Sequence, residues 1–173
     1  MDFAAVPCKV REERITRLME RHGRELKRLC FLYLKDLSLA EDAAQETFLK
    51  AYKALDSFRG ESSEKTWLTR IAVNVCRDMQ RSAWWRHVDR KVALESLPEP
   101  SDPPETPDPT VMGEIMALST RHREVILLRY YQEMEIADIA TALSIPEGTV
   151  KSRLGRAREK LAKKLERWYF DEE

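Results

Sequence analysis

The 173-residue sequence has few glycines, three cysteines, no net charge and no long hydrophobic run. Five glycines and few alternating apolar stretches argue against a large β-sheet. With 35% charged and 43% hydrophobic residues, the composition indicates highly charged helical structure. No apolar run is long enough to span a bilayer, and residues 1–14 lack a signal-peptide pattern. The sequence therefore predicts a cytoplasmic protein without membrane insertion.

The three cysteines, Cys8, Cys30 and Cys76, lie far apart and include no CxxC pair. No histidine lies near them at the spacing of metal ligands, so a zinc site is not expected, and an odd number suits a reducing compartment. Cys30 and Cys76 fall on apolar helical faces, which predicts small core side chains. The sequence also lacks a nucleophile arrangement or a phosphate-cradling loop, so neither a cofactor nor an enzymatic activity is predicted.

The most informative stretch is 135–165, which predicts a short amphipathic helix, a tight break and a longer basic helix. Pro146 lies in the break, where a proline is tolerated only in a loop or a first helical turn. From Ile145 to Phe170 eight basic residues accompany three acidic ones, although the whole chain is neutral. Because cations lie on the face opposite Val150, the pattern predicts a helix-turn-helix whose second helix enters a DNA major groove. A helical hairpin with a solvated basic face is the simpler alternative.

The N-terminal half predicts three helices. The first covers 11–37, as one helix or as two broken near Gly23, and the second covers 40–58 with Ser38 as its N-cap. The second helix has an acidic outward face at its start, which suits the helix dipole but extends far enough to form a partner surface. The third helix, 64–85, has one apolar and one basic face.

Aromatic side chains are interleaved with the cations of the third predicted helix. From Lys65 to Lys91 there are seven basic residues and two acidic ones. Cations, aromatics and an amide suit unpaired bases, which stack and offer their edges once they leave the duplex. For Trp67 a core position is the simpler prediction, whereas Trp84 and Trp85 are less easily buried.

Residues 93–110 are predicted to form a linker. Six of the eight prolines lie between Leu97 and Pro109, and Glu95–Asp108 contains five acids and no base. Such a segment cannot bury enough apolar surface to order itself and is expected to be extended. It separates a helical domain at 10–92 from a second one at 111–170. Two further helices are predicted at the start of the second domain, at 111–118 and 122–131.

The stretches 42–78 and 122–161 resemble regions two and four of bacterial extracytoplasmic-function sigma factors, which are alternative initiation subunits of RNA polymerase. Many regulators carry a helix-turn-helix like the second stretch, but both stretches in series, joined by such a linker, are specific to this family. The resemblance implies an all-α protein of two small domains. It also implies that the protein binds core polymerase and directs it to promoter DNA.

The resemblance implies roles for individual residues. Contacts with the β′ clamp helices of core polymerase are implied for Asp42, Gln45, Glu46, Leu49 and Lys53. Recognition and melting of the minus-ten element are implied for Phe58, Arg59, Trp67, Arg70, Asn74 and Arg77. Asn74 matches an asparagine that helps to hold a flipped-out base. Reading of the minus-thirty-five element is implied for Lys151, Ser152, Arg153 and Arg156. Contact of the second domain with the β flap and control by an anti-sigma factor are also implied.

Two other functions remain open from the residues alone. A conventional helix-turn-helix regulator with an N-terminal sensor domain explains 135–165, but it leaves the basic face of the third helix and the acidic linker without a role. A helical enzyme that uses Asp42 and Glu46 as an acid–base pair is the weaker alternative, because carboxylates one helical turn apart are usually solvated. Gly155 stands where some sigma factors carry a bulky residue, so their promoter sequence does not carry over.

Overall fold

The computed structural model describes residues 8–81 and 109–170, which form two compact helical units without a β-strand in either range. We refer to residues 8–81 as unit 1 and to residues 109–170 as unit 2. The expected all-α fold with two small domains is therefore confirmed. The predicted linker 93–110 lies almost entirely outside the described residues, as do Trp84 and Trp85.

Unit 1 begins with α1 (Cys8–Leu34), which is continuous. The break considered near Gly23 does not occur, since an isolated glycine costs a helix only about 1 kcal/mol and burial of neighbouring leucines exceeds this cost. A Cβ at Gly23 would meet the ring of Phe48 at 3.9 Å, an ordinary contact. The helix ends before the expected Leu37 because Lys35 adopts a left-handed conformation with φ 57°.

The second helix, α2 (Leu37–Ala54), begins earlier than predicted, and its N-cap is Asp36. The Asp36 carboxylate accepts the backbone N–H of Leu39 at 2.9 Å. The prediction of Ser38 as the cap is wrong, because a charged acceptor two residues earlier starts the helix there and leaves Ser38 exposed in its first turn. Asp42 consequently lies beyond the first turn, where the helix dipole no longer explains it.

A 3-10 turn (Leu55–Ser57) and an irregular loop connect α2 to α3 (Glu64–Arg81). Within the loop Gly60 has φ 74°, a conformation that favours glycine. The Ser63 hydroxyl accepts the backbone N–H of Thr66 at 3.0 Å and thereby caps α3. The loop is thus bounded by the 3-10 turn on one side and by the capped start of α3 on the other.

The core of unit 1 lies between its three helices. It includes the buried side chains Leu18, Leu26, Leu29, Phe48, Leu68 and Ala72. Cys30 and Cys76 are both buried, which confirms their predicted core positions. A hydrogen bond with Cys30, together with burial, raises the pKa of the Cys76 thiol well above its ordinary value. The thiolate form of Cys76 is therefore disfavoured in the folded protein.

Unit 2 contains α4 (Pro109–Ala117), α5 (Thr120–Ile126), α6 (Ile136–Leu143) and α7 (Glu147–Phe170). A π-helical turn (Leu127–Tyr131) continues α5. The two helices predicted at the start of the second domain are thus present, with a change of hydrogen-bonding pattern inside the second of them.

Val125 of α5 and Leu128 of the π-helical turn are buried, whereas Tyr131 is only half-buried. Ala140 of α6 is also buried. None of the described helices combines the length and the apolar character that crossing a membrane requires.

Candidate nucleic-acid interface

The loop before α3 forms part of the wall of a cavity in unit 1. The cavity is partly open to solvent and has a volume of about 250 Å³, and the residues that line it include Phe58, Arg59, Glu61, Ser62, Trp67 and Arg70. The rings of Phe58 and Trp67 stack with centroids 4.6 Å apart and an interplanar angle of 28°. The volume lies below the ~300–1,000 Å³ of pockets for drug-sized ligands. A cavity of this size and lining can hold one planar polar group, such as an unpaired base, by stacking and hydrogen bonding.

Trp67 is half-buried, so the simpler prediction of a core position is wrong for this residue. Helical periodicity correctly placed it on the inward side of α3, but the adjoining loop leaves room beside the indole ring. The Phe58 ring, and not a core side chain, stacks on the Trp67 ring, and the stacked pair forms part of the cavity wall.

The structure brings four of the six predicted minus-ten residues together at the cavity, namely Phe58, Arg59, Trp67 and Arg70. Asn74 and Arg77 do not line it. They lie further along α3 on the same face as Trp67 and Arg70, since residues three, seven and ten positions apart share one side of a helix. Asn74 is exposed and Arg77 is half-buried. Arg70 and Asn74 therefore form a polar strip that leads away from the cavity.

Four residues at or beside the cavity are missing from the predicted set. Ser57 precedes Phe58 in the chain, Glu61 and Ser62 follow it, and their position in this polar segment was the available signal. Arg14 is different, because it comes from α1 and its guanidinium lies 5.7 Å from the centroid of the Phe58 ring. Only the packing of α1 against the end of α2 brings it there, which no local pattern reveals.

A second candidate surface lies on α7. Val150, Leu154 and Ala157 are buried against the rest of unit 2. The opposite side of the helix exposes Lys151, Ser152 and Arg156. This arrangement agrees with the predicted apolar stripe and leaves a cationic face available to a phosphate backbone.

The turn between α6 and α7 sets the direction of the basic helix. Ser144 adopts a left-handed conformation with φ 54°, and the N–H of Ile145 donates to the Ala140 carbonyl at 3.0 Å. The Pro146 carbonyl accepts the N–H of Val150 at 3.1 Å. Pro146 thus lies immediately before α7, where its missing N–H costs the helix nothing, in agreement with the sequence prediction.

Arg153 differs from the other predicted minus-thirty-five residues. Its guanidinium lies 3.2 Å from the carboxylate of Glu124 on α5, and the two side chains are 24% and 5% exposed. The ion pair therefore orients Arg153 along the surface of unit 2, while Lys151 and Arg156 extend into solvent. Sequence periodicity could not distinguish these three cations, because the distinction depends on α5.

His122 lies buried on α5, with its Nδ1 3.0 Å from the hydroxyl of Ser119. Burial lowers the pKa of His122, and the positive charges of Lys160 and Arg121 lower it further. The imidazole is consequently neutral near pH ~7 and adds no charge to the surface of α7.

The predicted polymerase-binding residues lie along one face of α2. Asp42, Gln45 and Lys53 are exposed, and Leu49 among them is 56% exposed. Glu46 is half-buried and pairs with Lys50 at 4.0 Å. A single exposed leucine is common on protein surfaces. Leu49 is surrounded by both signs of charge and an amide, and an apolar centre with a polar rim is also the arrangement found in protein-binding patches.

Within residues 8–81 and 109–170, no group of three His, Cys, Asp or Glu side chains could hold a metal ion.

Two family models match the chain. Sigma-70 region 2 matches residues 18–86, and Sigma-70, region 4 matches residues 111–161. The chain is 33% identical to the RNA polymerase sigma-H factor of Pseudomonas aeruginosa, over 86% of this chain and 84% of that protein. It is 34% identical to the ECF RNA polymerase sigma factor SigW of Bacillus subtilis, over 82% of this chain and 83% of that protein.

Solved structures agree with these matches. The chain is similar to CnrH in its complex with the cytosolic domain of CnrY, with a TM-score of 0.66 and 29% identity over 90% of this chain and 89% of that one. It is also similar to the sigma factor RpoE in complex with the anti-sigma factor NepR from Bartonella quintana. In that case the TM-score is 0.67 and the identity 26%, over 87% of this chain and 96% of that one.

Proposed function

Because this chain belongs to the sigma-70 family, as an extracytoplasmic-function sigma factor, we propose that its two domains divide promoter recognition between them. The first domain, 10–92, binds core RNA polymerase and the minus-ten element. The second domain, 111–170, binds the minus-thirty-five element and the β flap of polymerase. Residues 93–110 link them, and polymerase, not this chain, carries out the chemistry.

The cavity of unit 1 is the observation that carries this proposal. A helix-turn-helix alone suits a conventional regulator equally well, but such a regulator needs no site for an unpaired base. Trp67, whose ring stacks on that of Phe58, and the guanidinium of Arg70 lie together at one small cavity. Stacking and hydrogen bonding there would offset part of the few kcal/mol that unstacking a base costs. Capture of one minus-ten base in this cavity therefore favours the open strand.

The surface of α7 supports duplex binding by unit 2. Lys151, Ser152 and Arg156 are exposed on the second helix of the helix-turn-helix, the helix that enters the major groove in this motif. Each base contact there discriminates by about 1–3 kcal/mol. Arg153 keeps part of its guanidinium accessible while Glu124 holds it. We assign Arg153 to the same interface, closer to the DNA backbone than to the base edges.

The face of α2 formed by Asp42, Gln45, Glu46, Leu49 and Lys53 supports polymerase binding. In our proposal it contacts the β′ clamp helices, and the exposed Leu49 provides its apolar centre. Two structural relatives, CnrH and RpoE, were solved with bound partners, and NepR is named as an anti-sigma factor. We therefore also propose that an anti-sigma factor holds this chain inactive in the cytoplasm until a signal releases it.

Transcription in vitro with core polymerase and a candidate promoter tests the function. We expect promoter-specific transcripts only when the full-length chain and core polymerase are both present. A chain that shifts duplex promoter DNA specifically without polymerase, and adds no specificity to polymerase, would instead be a conventional regulator.

A pair of variants separates the two roles of unit 1. Asn74→Ala removes an exposed amide beside the cavity, so it should impair promoter opening more than polymerase binding. Gln45→Ala removes an exposed amide from α2 and should do the reverse. Permanganate footprinting measures opening and co-purification with core polymerase measures binding. Equal loss of both activities in both variants would contradict the assignment.

A further inference from the structure

Arg14 touches the cavity wall from outside. Its guanidinium carbon lies 5.7 Å from the centroid of the Phe58 ring, at a distance typical of a cation–π interaction. Phe58 also stacks on Trp67. The lining of the cavity includes Phe58 and Trp67 but not Arg14. Any effect of Arg14 on a ligand in the cavity must therefore pass through Phe58.

The segment that carries Phe58 lacks regular structure. Phe58 follows the 3-10 turn and precedes Gly60, whose φ of 74° marks a sharp change of chain direction. Its N–H makes a long hydrogen bond of 3.3 Å to the Leu55 carbonyl. Backbone geometry alone therefore gives the ring little constraint, and side-chain contacts have to fix its orientation.

The first turns of α1 are fixed against the end of α2, so a side chain from them can orient the Phe58 ring. Arg11 donates to the Tyr52 carbonyl at 2.9 Å, lies 3.4 Å from the Asp56 carboxylate and stacks over the Tyr52 ring. Arg14 lies one turn later on the same helix. Arg11 therefore fixes α1 against the end of α2, and Arg14 of the same helix contacts the ring of Phe58.

We propose that Arg14 is a positioning residue for base capture: it holds the Phe58 ring so that Phe58 and Trp67 present one stacked wall to the minus-ten base. This inference rests on the proposed function of the cavity. Arg14 acts through the π face of Phe58 and touches neither the base nor a phosphate.

The test measures binding of a single-stranded minus-ten oligonucleotide to the full-length chain bound to core polymerase. Arg14→Gln should weaken binding by about three- to tenfold, the size expected of a partly exposed cation–π contact. Arg14→Lys keeps the positive charge and should restore most of the affinity. Arg17→Gln is the matched control, since Arg17 is an exposed arginine one turn away on α1, and it should leave binding unchanged.

Two further readouts separate positioning from other roles. A direct phosphate contact would change the slope of log affinity against log salt by about 0.7, whereas Arg14→Gln should leave this slope unchanged. In a Phe58→Leu background, Arg14→Gln should have no further effect. Unchanged affinity in Arg14→Gln, a shallower salt slope, or the same loss in both backgrounds would each overturn the inference. A wild-type complex that does not bind the oligonucleotide would instead overturn the proposed function of the cavity, and this inference with it.

Discussion

At the scale of single residues, Trp67 gives the most direct test of the cavity as a base-binding site. Stacking of a base on an aromatic ring contributes about 1–3 kcal/mol. Trp67→Ala should therefore weaken binding of the single-stranded minus-ten oligonucleotide roughly five- to 150-fold, and Trp67→Phe should weaken it much less. Fluorescence anisotropy with the polymerase-bound chain measures this. Tyr130→Ala is the control, because Tyr130 is a 56% exposed aromatic of unit 2, and an equal loss in it would argue against the cavity.

The residues of the cavity show what sequence reasoning can and cannot reach. Phe58, Arg59, Trp67 and Arg70 were predicted together because they are close in the chain and match a family signature. The depth of Trp67 was predicted wrongly, because helical periodicity reports the face of a helix but not what covers that face. Arg14 was not predicted at all, since its approach to Phe58 depends on how α1 packs against another helix.

At the scale of helices, an ion pair joins α5 to α7, the helix that we propose binds the minus-thirty-five element. Glu124 is 5% exposed, so Glu124→Gln removes the charge partner of Arg153 from a buried position. We expect unit 2 to lose about 2 kcal/mol of unfolding free energy, the range for a hydrogen bond to a charged group. Binding of minus-thirty-five duplex should also weaken, because Arg153 is no longer oriented.

The matched control for this variant is Glu135→Gln. Glu135 pairs with Arg129 at the same 3.2 Å, but its side chain is 76% exposed. Because exposed ion pairs contribute about 0–1 kcal/mol, this control should change little. In an Arg153→Ala background, Glu124→Gln should cause no further loss of duplex binding. The same further loss in that background would show that Glu124 supports the fold and not Arg153.

Helix positions were easier to predict than helix ends. Apolar spacing located α1, α2, α3, α6 and α7, because burial of one face controls whether such a helix forms. The start of α2 was missed because its cap, Asp36, lies two residues before the predicted cap, Ser38, and only the hydrogen bond to Leu39 identifies it. The partner of Arg153 was missed for a related reason: an ion pair between distant helices leaves no trace in the periodicity of either helix.

At the scale of the whole molecule, neutrality of the chain conceals a separation of charge among its segments. Thirty basic and thirty acidic residues cancel, yet α7 is strongly basic and residues 95–108 contain only acids among their charged residues. Two units with separate cores are also expected to respond separately to solution conditions. Their histidines allow this independence to be measured.

Each unit contains a histidine whose pKa is lowered. Burial lowers the pKa of His22 in unit 1, more than the nearby carboxylate of Glu25 raises it, and burial and neighbouring cations lower that of His122 in unit 2. Below the ordinary pKa of 6.5 the unfolded chain binds a proton that the folded unit resists. The unfolding free energy of both units should therefore fall as pH decreases from ~6.5 toward ~5, above the range in which most carboxylates titrate.

Replacement of each histidine assigns this pH dependence to one unit. His22→Gln should reduce the pH dependence of the unfolding free energy for residues 8–81 alone. His122→Gln should reduce it for residues 109–170 alone, so each variant is the control for the other. Urea unfolding at several pH values, followed by a hydrogen-exchange pulse at fixed pH and mass spectrometry of peptides, measures the two units separately in the full-length chain. If either variant flattened the profile of both units, they would unfold as one cooperative body, and the division of promoter binding between independently folded domains would lose its physical basis.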